Sequence, residues 1–412
     1  MGNIFIGDSN SKARMIKSLY IGVNNVAKKV KAVYVGDSSG KARLVWQSMI
    51  TKITSWKHYV SRSVSKLEPS YTAYHIDSTH NPITFEDNEK RYLLSASVRD
   101  TSGSVSSYAI MEIEVDDNAN IIDYKYTSLG SDPIAKCKLP SLNAYAYTSY
   151  SSYYNCYCLS FINYNNFGTE FTTLNGRVDE LYKLDDSSVI GAMTDNDGVY
   201  LYKFTYAGYN NITKTRYLLV SGATNVHLFK LSSNQYFITY ILNGTMYIAP
   251  LKFSSLTSSS ITFNLGAASA LTYANWSGIQ AEYVFPINDS YAILSARYAK
   301  YAIGVCIKNN VLSLSNEIFT GSQACRIGKS TSFFSFYDNN NSATNKGAIF
   351  YYDINSNTIT ALNTAITPTT YNNPISPIAF YAVLRPRGDK GITMIYNPNS
   401  DYTYSYDLLF DV

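Results

Sequence analysis

Three copies of one short pattern fill the first 47 residues, and a repeat that short leaves each copy room for a single hairpin. The copies run from Phe5-Ile6-Gly7-Asp8 to Lys12-Ala13-Arg14-Met15-Ile16, from Tyr20-Ile21-Gly22-Val23 to Ala27-Lys28-Lys29-Val30, and from Tyr34-Val35-Gly36-Asp37 to Lys41-Ala42-Arg43-Leu44-Val45. The aromatic-to-aromatic spacings are 15 and 14 residues. An isolated two-stranded hairpin is marginal in water. Such a segment must bury its faces against its own copies or against another chain, so it reads as a docking device; a hairpin meander capping the main domain is the plainer alternative.

In the middle copy Asn24-Asn25 separates two β-type runs, and Asn tolerates the positive φ of a two-residue hairpin turn. That turn sets Val23 opposite Val26, Gly22 opposite Ala27, Ile21 opposite Lys28 and Tyr20 opposite Lys29. Side chains alternate between faces, which gathers Leu19, Ile21, Val23, Val26 and Val30 on one apolar side. The Gly22/Ala27 pair leaves a flat spot on the other, repeated as Gly7/Ala13 and Gly36/Ala42. Tyr20, Gly22, Ala27, Tyr34, Gly36 and Ala42 are therefore the candidate assembly residues.

The pattern Tyr-Ile-Gly-Val-Asn-x-x-Ala-Lys-Lys-Val-Lys-x-x-Tyr-Val-Gly resembles tandem repeats in tail, baseplate and fibre-like proteins of phages and prophages of Gram-positive (Firmicutes) hosts. The resemblance covers about residues 3–47, a tenth of the chain. The Asn-Gly turn usual in those repeats is Asn24-Asn25 here and Asp37-Ser38-Ser39-Gly40 in the third copy. It implies a virion or phage-tail-like component made in a bacterial cytoplasm. Residues 1–47 would be its contact with other virion proteins, and the particle would hold it as a homo-oligomer.

Charge divides the chain at the same place. Residues 1–47 carry eight Lys and Arg against Asp8 and Asp37, a net of +6, whereas the other 365 residues carry 26 basic against 28 acidic, a net of −2. The cations alternate with apolar residues and lack interleaved stacking aromatics, so an acidic partner surface or solvent fits them better than nucleic acid. No apolar run of 18 residues is present, so membrane insertion by a helix is not expected. The polar strand pattern at the start is not that of a signal peptide.

Beyond residue 50 a longer echo sets the fold. Val178-to-Ile190, Val226-to-Ile238 and Ala281-to-Ile293 each read as strand, polar turn, strand, followed by a second turn and a third strand. With Phe85, Leu139, Leu184, Leu231, Ile287, Ile327 and Ile378 as marks, the intervals are 54, 45, 47, 56, 40 and 51 residues. Spacings near 40–50 with about four strands per unit are those of propeller blades. The expectation is an all-β chain: tandem hairpins at 1–47, a linker or ring-closing strand at 48–75, and a β-propeller of about seven blades at 76–412. A β-sandwich pair or a β-solenoid could be built from the same meanders.

Chemistry is sparse. Cys156 and Cys158 lie two apart on one strand face, a poor geometry for a mutual bridge, and Cys137, Cys306 and Cys325 are isolated, so all five read as reduced. The four histidines, His58, His75, His80 and His227, show no metal-ligand spacing, and no cofactor is expected. Thr194-Asp195-Asn196-Asp197-Gly198-Val199-Tyr200 faintly resembles the Asp-box of sialidase-type propellers but lacks its Trp, and a β-turn explains it equally well. No Gly-x-Ser-x-Gly, phosphate loop or nucleophile–base set is found, which points away from an enzyme. Tyr is abundant, at 39 residues, and Tyr-, Asn- and Ser-rich turns suit a surface that stacks on sugars and bonds their hydroxyls. Tyr153, Tyr209 and Trp276 are the receptor-binding candidates, with Tyr150 and Tyr154 beside the first. Two functions follow: a head that binds a host cell-surface glycan or protein, or a purely structural baseplate, tail or capsid-decorating subunit with no host ligand.

Overall fold

In a computed structural model of the 412-residue chain, backbone is described for the strands named below and for their turns within 131–139, 144–163, 169–208, 211–271, 283–296, 301–320, 324–327, 331–337 and 346–366. Side chains are described chiefly between 131 and 362, with Leu93, Tyr108, Ala109, Ile110, Glu112, Glu114 and Leu129 in addition. The described residues form no helix. They are all-β, and every strand pairing is antiparallel between neighbours along the chain, with one exception at the end.

Seven sheets of four or five strands follow one another. The first joins Ala73–Asp77, Arg91–Arg99, Val105–Val115 and Ile121–Leu129, with Ile83–Thr84 alongside. It thus begins within the stretch that the sequence assigned to the join. The second joins Lys136–Leu139, Ala144–Ser151, Cys156–Asn163 and Thr169–Leu174; the third Tyr182–Lys183, Ser188–Asp195, Gly198–Tyr206 and Ile212–Ser221. The fourth joins Thr224–Lys230, Gln235–Leu242, Thr245–Leu256 and Ile261–Leu265, with Ser269–Ala270 alongside; the fifth Tyr283–Asn288, Tyr291–Ala296, Tyr301–Lys308 and Val311–Phe319. The sixth joins Ala324–Arg326, Ser332–Tyr337, Lys346–Asp353 and Thr358–Ile366. The seventh takes Val383–Arg387, Gly391–Tyr396 and Tyr404–Phe410 from the end of the chain and Ile53–Val60 from near its start.

The marks that set the sequence period fall at one recurring place. Leu139 ends the first strand of its sheet, and Leu184, Leu231 and Ile327 each follow such a strand directly. The last three share a turn: Leu184 N–H donates to the Ser188 carbonyl at 2.9 Å, Leu231 N–H to Gln235 at 2.9 Å and Ile327 N–H to Ser332 at 3.0 Å. An apolar residue here plugs the turn while polar residues carry the chain around it. One echo is shorter than its sequence reads. Residues 178–181 are not strand, because the Val178 carbonyl and the Glu180 carboxylate are bonded instead to Thr148 and to the neighbouring sheet.

Asn supplies the tight turns. Asn243 and Gly244 both have positive φ, 51° and 77°, and Asn309 and Asn310 have 52° and 62°, the geometry that lets a two-residue turn match strand twist. This is one physical reason for the Asn-rich composition.

Each sheet is buried between its neighbours. In the third sheet Val199 and Leu201 point into a cluster with Leu228, Ile238 and Leu251 of the fourth. Alternating with them, Tyr200, Tyr202 and Phe204 point at Leu159 and Phe161 of the second. Strands of that kind read as nearly continuous apolar runs because both faces are covered. The fourth strand, Ile212–Ser221, is mostly exposed, so burial declines toward one edge. Equivalent clusters join the first sheet to the second and the fourth to the fifth.

Contact between the fifth and sixth sheets depends on Gly304. A Cβ there would lie 2.5 Å from the ring of the fully buried Tyr352, and its N–H donates to Ser315 Oγ at 2.7 Å. Gly304→Ala is expected to cost about 1–3 kcal/mol through overpacking, measured by urea unfolding. A loss under about 0.5 kcal/mol would mean the two sheets separate easily.

Candidate functional site

At the N-terminus three two-stranded hairpins are present, and each sets its glycine opposite its alanine: Gly7 with Ala13, Gly22 with Ala27, Gly36 with Ala42. The middle hairpin has the register expected from an Asn24-Asn25 turn, with Tyr20 opposite Lys29. Tyr34 stands opposite Leu44. The side chains of Tyr20, Ala27, Tyr34 and Ala42 lie outside the described residues.

Of the receptor-binding candidates, Tyr209 and Trp276 also lie outside the described residues. Tyr153 does not, and it is 86% exposed. It sits in the four-residue turn joining Ala144–Ser151 to Cys156–Asn163, a turn closed by Asn155 in the left-handed region at φ 51°. Tyr150 Oη donates to Asn155 Oδ1 at 2.6 Å, and Tyr154 N–H reaches Ser151 Oγ at 3.3 Å. These bonds hold the turn and direct its rings outward.

Tyr153 packs edge-on against Tyr154 at 4.8 Å, and Tyr154 tilts against Phe171 at 5.0 Å on the edge strand. Tyr150 and Tyr157 form a second edge-on pair at 5.3 Å. Tyr150, Tyr153, Tyr154 and Phe171 are all substantially exposed. Sequence reasoning found three members of this group and missed Phe171, whose exposure follows only from lying on the edge strand.

A polar cluster occupies the cleft between the exposed edges of the second and third sheets. A cavity of about 300 Å³ is lined by Asn175, Met193, Asp195, Tyr202, Lys214 and Arg216. Asp195 closes the second strand of the third sheet with its side chain only 2% exposed. Its Oδ1 accepts from Asn196 N–H at 2.8 Å and Asn175 Nδ2 at 3.0 Å. Its Oδ2 accepts from Tyr202 Oη at 2.5 Å and Arg216 at 2.9 Å. The Tyr202 bond, set against burial and aided by the other donors, holds the carboxyl well below the usual carboxylate range. Burial and the Asp195 charge push Tyr202 up to about 12. The Arg216 guanidinium lies 4.7 Å over the Tyr200 ring, and Tyr200 Oη is fixed to Asp197 at 2.8 Å. The Asp195/Asp197 turn noted in the sequence is thus the foundation of this cluster. The alternating Lys214 and Arg216, on one face of a strand, were its unread signal.

The described cysteines Cys137, Cys156, Cys158 and Cys306 are free thiols, and burial pushes Cys137 up to about 12. Among the described residues no group of His, Cys, Asp and Glu is arranged to hold a metal ion.

No family model matches the chain, and no curated protein does. Solved structures resemble its outline at low identity. One is a protein from Lactobacillus plantarum, 11% identical over 73% of this chain and 86% of that one, with a TM-score of 0.46. A protein of unknown function from Desulfotomaculum acetoxidans is 8% identical over 71% and 86%, with a TM-score of 0.43. A third, described as a candidate 6-phosphogluconolactonase from Bacteroides uniformis, is 13% identical over 77% and 94%, with a TM-score of 0.44. Neither ligand nor activity carries over at this distance.

Proposed function

We propose that the chain is a receptor-binding head of a phage tail or tail-like particle, a seven-bladed β-propeller carried on N-terminal docking hairpins. Each four-stranded sheet is one blade, and Ile53–Val60 closes the ring by completing the last. The blade reading is supported by meander topology, by sheets covered on both faces and by burial that fades toward the fourth strand. The docking role rests on the repeats, on their six net positive charges and on their resemblance to phage-tail repeats.

The observation that carries the binding function is the exposed row of Tyr153, Tyr154 and Phe171. Large rings left in solvent on a rigid turn mark a contact surface. Their apolar faces suit the C–H faces of sugars, and the polar residues around them select among sugars. The head binds a cell-surface glycan of a Gram-positive host without cleaving it.

Adsorption of the purified protein to Gram-positive cell walls tests this. Changing both Tyr153 and Tyr154 to Ala should reduce adsorption at least tenfold while leaving unfolding stability within about 1 kcal/mol, as expected of exposed positions. Tyr209→Ala and Trp276→Ala are assayed in parallel. Unchanged adsorption in the Tyr153/Tyr154 variant removes this surface from the proposal, and release of wall fragments by the wild type overturns the non-catalytic reading.

A further inference from the structure

The cleft between the second and third sheets presents donors without free acceptors. Asp195 already receives four hydrogen bonds, two on each oxygen, so it has no remaining lone pair of good geometry to offer an incoming group. Its function in the cavity is to hold cations in place. Arg216 uses one terminal nitrogen on Asp195 and rests on Tyr200, yet a guanidinium has five N–H donors in a fixed fork. Lys214, two residues away on the same strand face, gives one bond to the Thr173 carbonyl of the second sheet at 2.9 Å, and an ammonium has three donors. Both cations are therefore oriented before any ligand arrives, and both line the same cavity of about 300 Å³.

We propose that this cleft is a binding site for a small oxyanion-bearing ligand, a carboxylate or phosphate group on a molecule of monosaccharide size. Two fixed cations against one saturated carboxylate leave a net positive site, and a guanidinium matches the paired oxygens of carboxylate and phosphate. Met193 and the Tyr202 ring supply the apolar wall for the rest of the ligand. The volume lies at the lower end of the range for small-molecule pockets. Half of the Arg216 side chain is exposed, which provides the entry path. A role limited to pinning the two sheets together would need the Lys214–Thr173 bond but not a second cation facing the same space.

Calorimetric titration of the full-length protein at low ionic strength, with sodium glucuronate, inorganic phosphate and neutral glucose, tests the site. At least one anion should bind with a dissociation constant near or below about 1 mM, and glucose should not. Preference for glucuronate or for phosphate identifies which oxyanion the site takes. Arg216→Met and Lys214→Met, which keep the apolar stems, should each weaken binding about tenfold or more. Lys214→Met leaves the Asp195 network intact, so a folding defect in Arg216→Met does not spoil the result. Tyr153→Ala should leave anion binding unchanged, which keeps this site distinguishable from the receptor surface. No binding of either anion at about 10 mM, equal binding of glucose, or full affinity in both cation variants overturns the proposal.

Discussion

Replacing His227 with leucine is expected to destabilise the folded chain by about 3–5 kcal/mol at neutral pH, the usual cost of stranding one half of a buried ion pair. His227 Nδ1 lies 2.9 Å from Glu180 Oε1, and the side chains are only 5% and 9% exposed. Glu180 Oε2 also accepts the Leu228 N–H at 3.2 Å, and Tyr182 Oη donates to the Leu228 carbonyl at 2.9 Å. The pair thus fastens the segment before the third sheet to the first strand of the fourth. Leucine preserves apolar packing beside Phe229, so the loss reports the charge. Changing both residues to leucine should recover most of it, because no unpaired charge remains. A single variant within 1 kcal/mol of the wild type, or a double variant no better than the single, would remove the pair from the account of stability.

The same pair sets a pH dependence. Burial acts to lower His227, but the Glu180 charge and hydrogen bond outweigh it and push the imidazole from 6.5 up to about 9. A histidine with a raised folded pKa stabilises fully below its unfolded value, and that contribution disappears as pH rises through the folded one. Burial also raises Glu180 above its ordinary range, opposed by His227. A raised carboxyl has the same sign, since the folded state again holds the extra proton. Wild-type stability should therefore fall by up to about 3 kcal/mol between pH 6.5 and 9. Urea unfolding at several pH values should show this slope in the wild type and its loss in the double leucine variant.

Neither prediction was available from the sequence, where Glu180 and His227 are 47 residues apart and each looks solvated. The legible part was what repeats. An apolar residue that plugs a turn recurs at Leu139, Leu184, Leu231 and Ile327, so the period of the sheets could be read from it. The Gly22/Ala27 register followed from turn chemistry alone. Pairings between sheets carry no period, since Glu180 meets His227, Lys138 meets Glu112 and Asn316 meets the Ile359 backbone, each with different groups. The Asp195–Arg216 cluster stayed hidden for the same reason. A turn aspartate looks alike whether it faces water or a guanidinium delivered by the next strand but one.

Removing residues 1–60 should be far more damaging than removing residues 1–47, although the two truncations differ by only 13 residues. Ile53–Val60 is hydrogen-bonded to Tyr404–Phe410, with Val60 opposite Tyr404 and Ile53 opposite Phe410. Without it, Tyr404–Phe410 becomes a bare edge, and an uncovered edge both loses its backbone partners and invites pairing between chains. The 48–412 protein should remain monodisperse and melt like the full chain, yet fail to enter particles if the hairpins dock it. The 61–412 protein should aggregate or melt roughly 10 °C lower, and a synthetic peptide spanning residues 48–62 should restore it by strand addition. Because this pairing joins the two ends of the chain, the last sheet can complete only after the others are in place. The loss should consequently appear mainly as faster unfolding, with little change in the refolding rate. A 61–412 protein as stable as the full chain would show that the sheets hold together without the closing strand, and the proposed closed ring would fall with it.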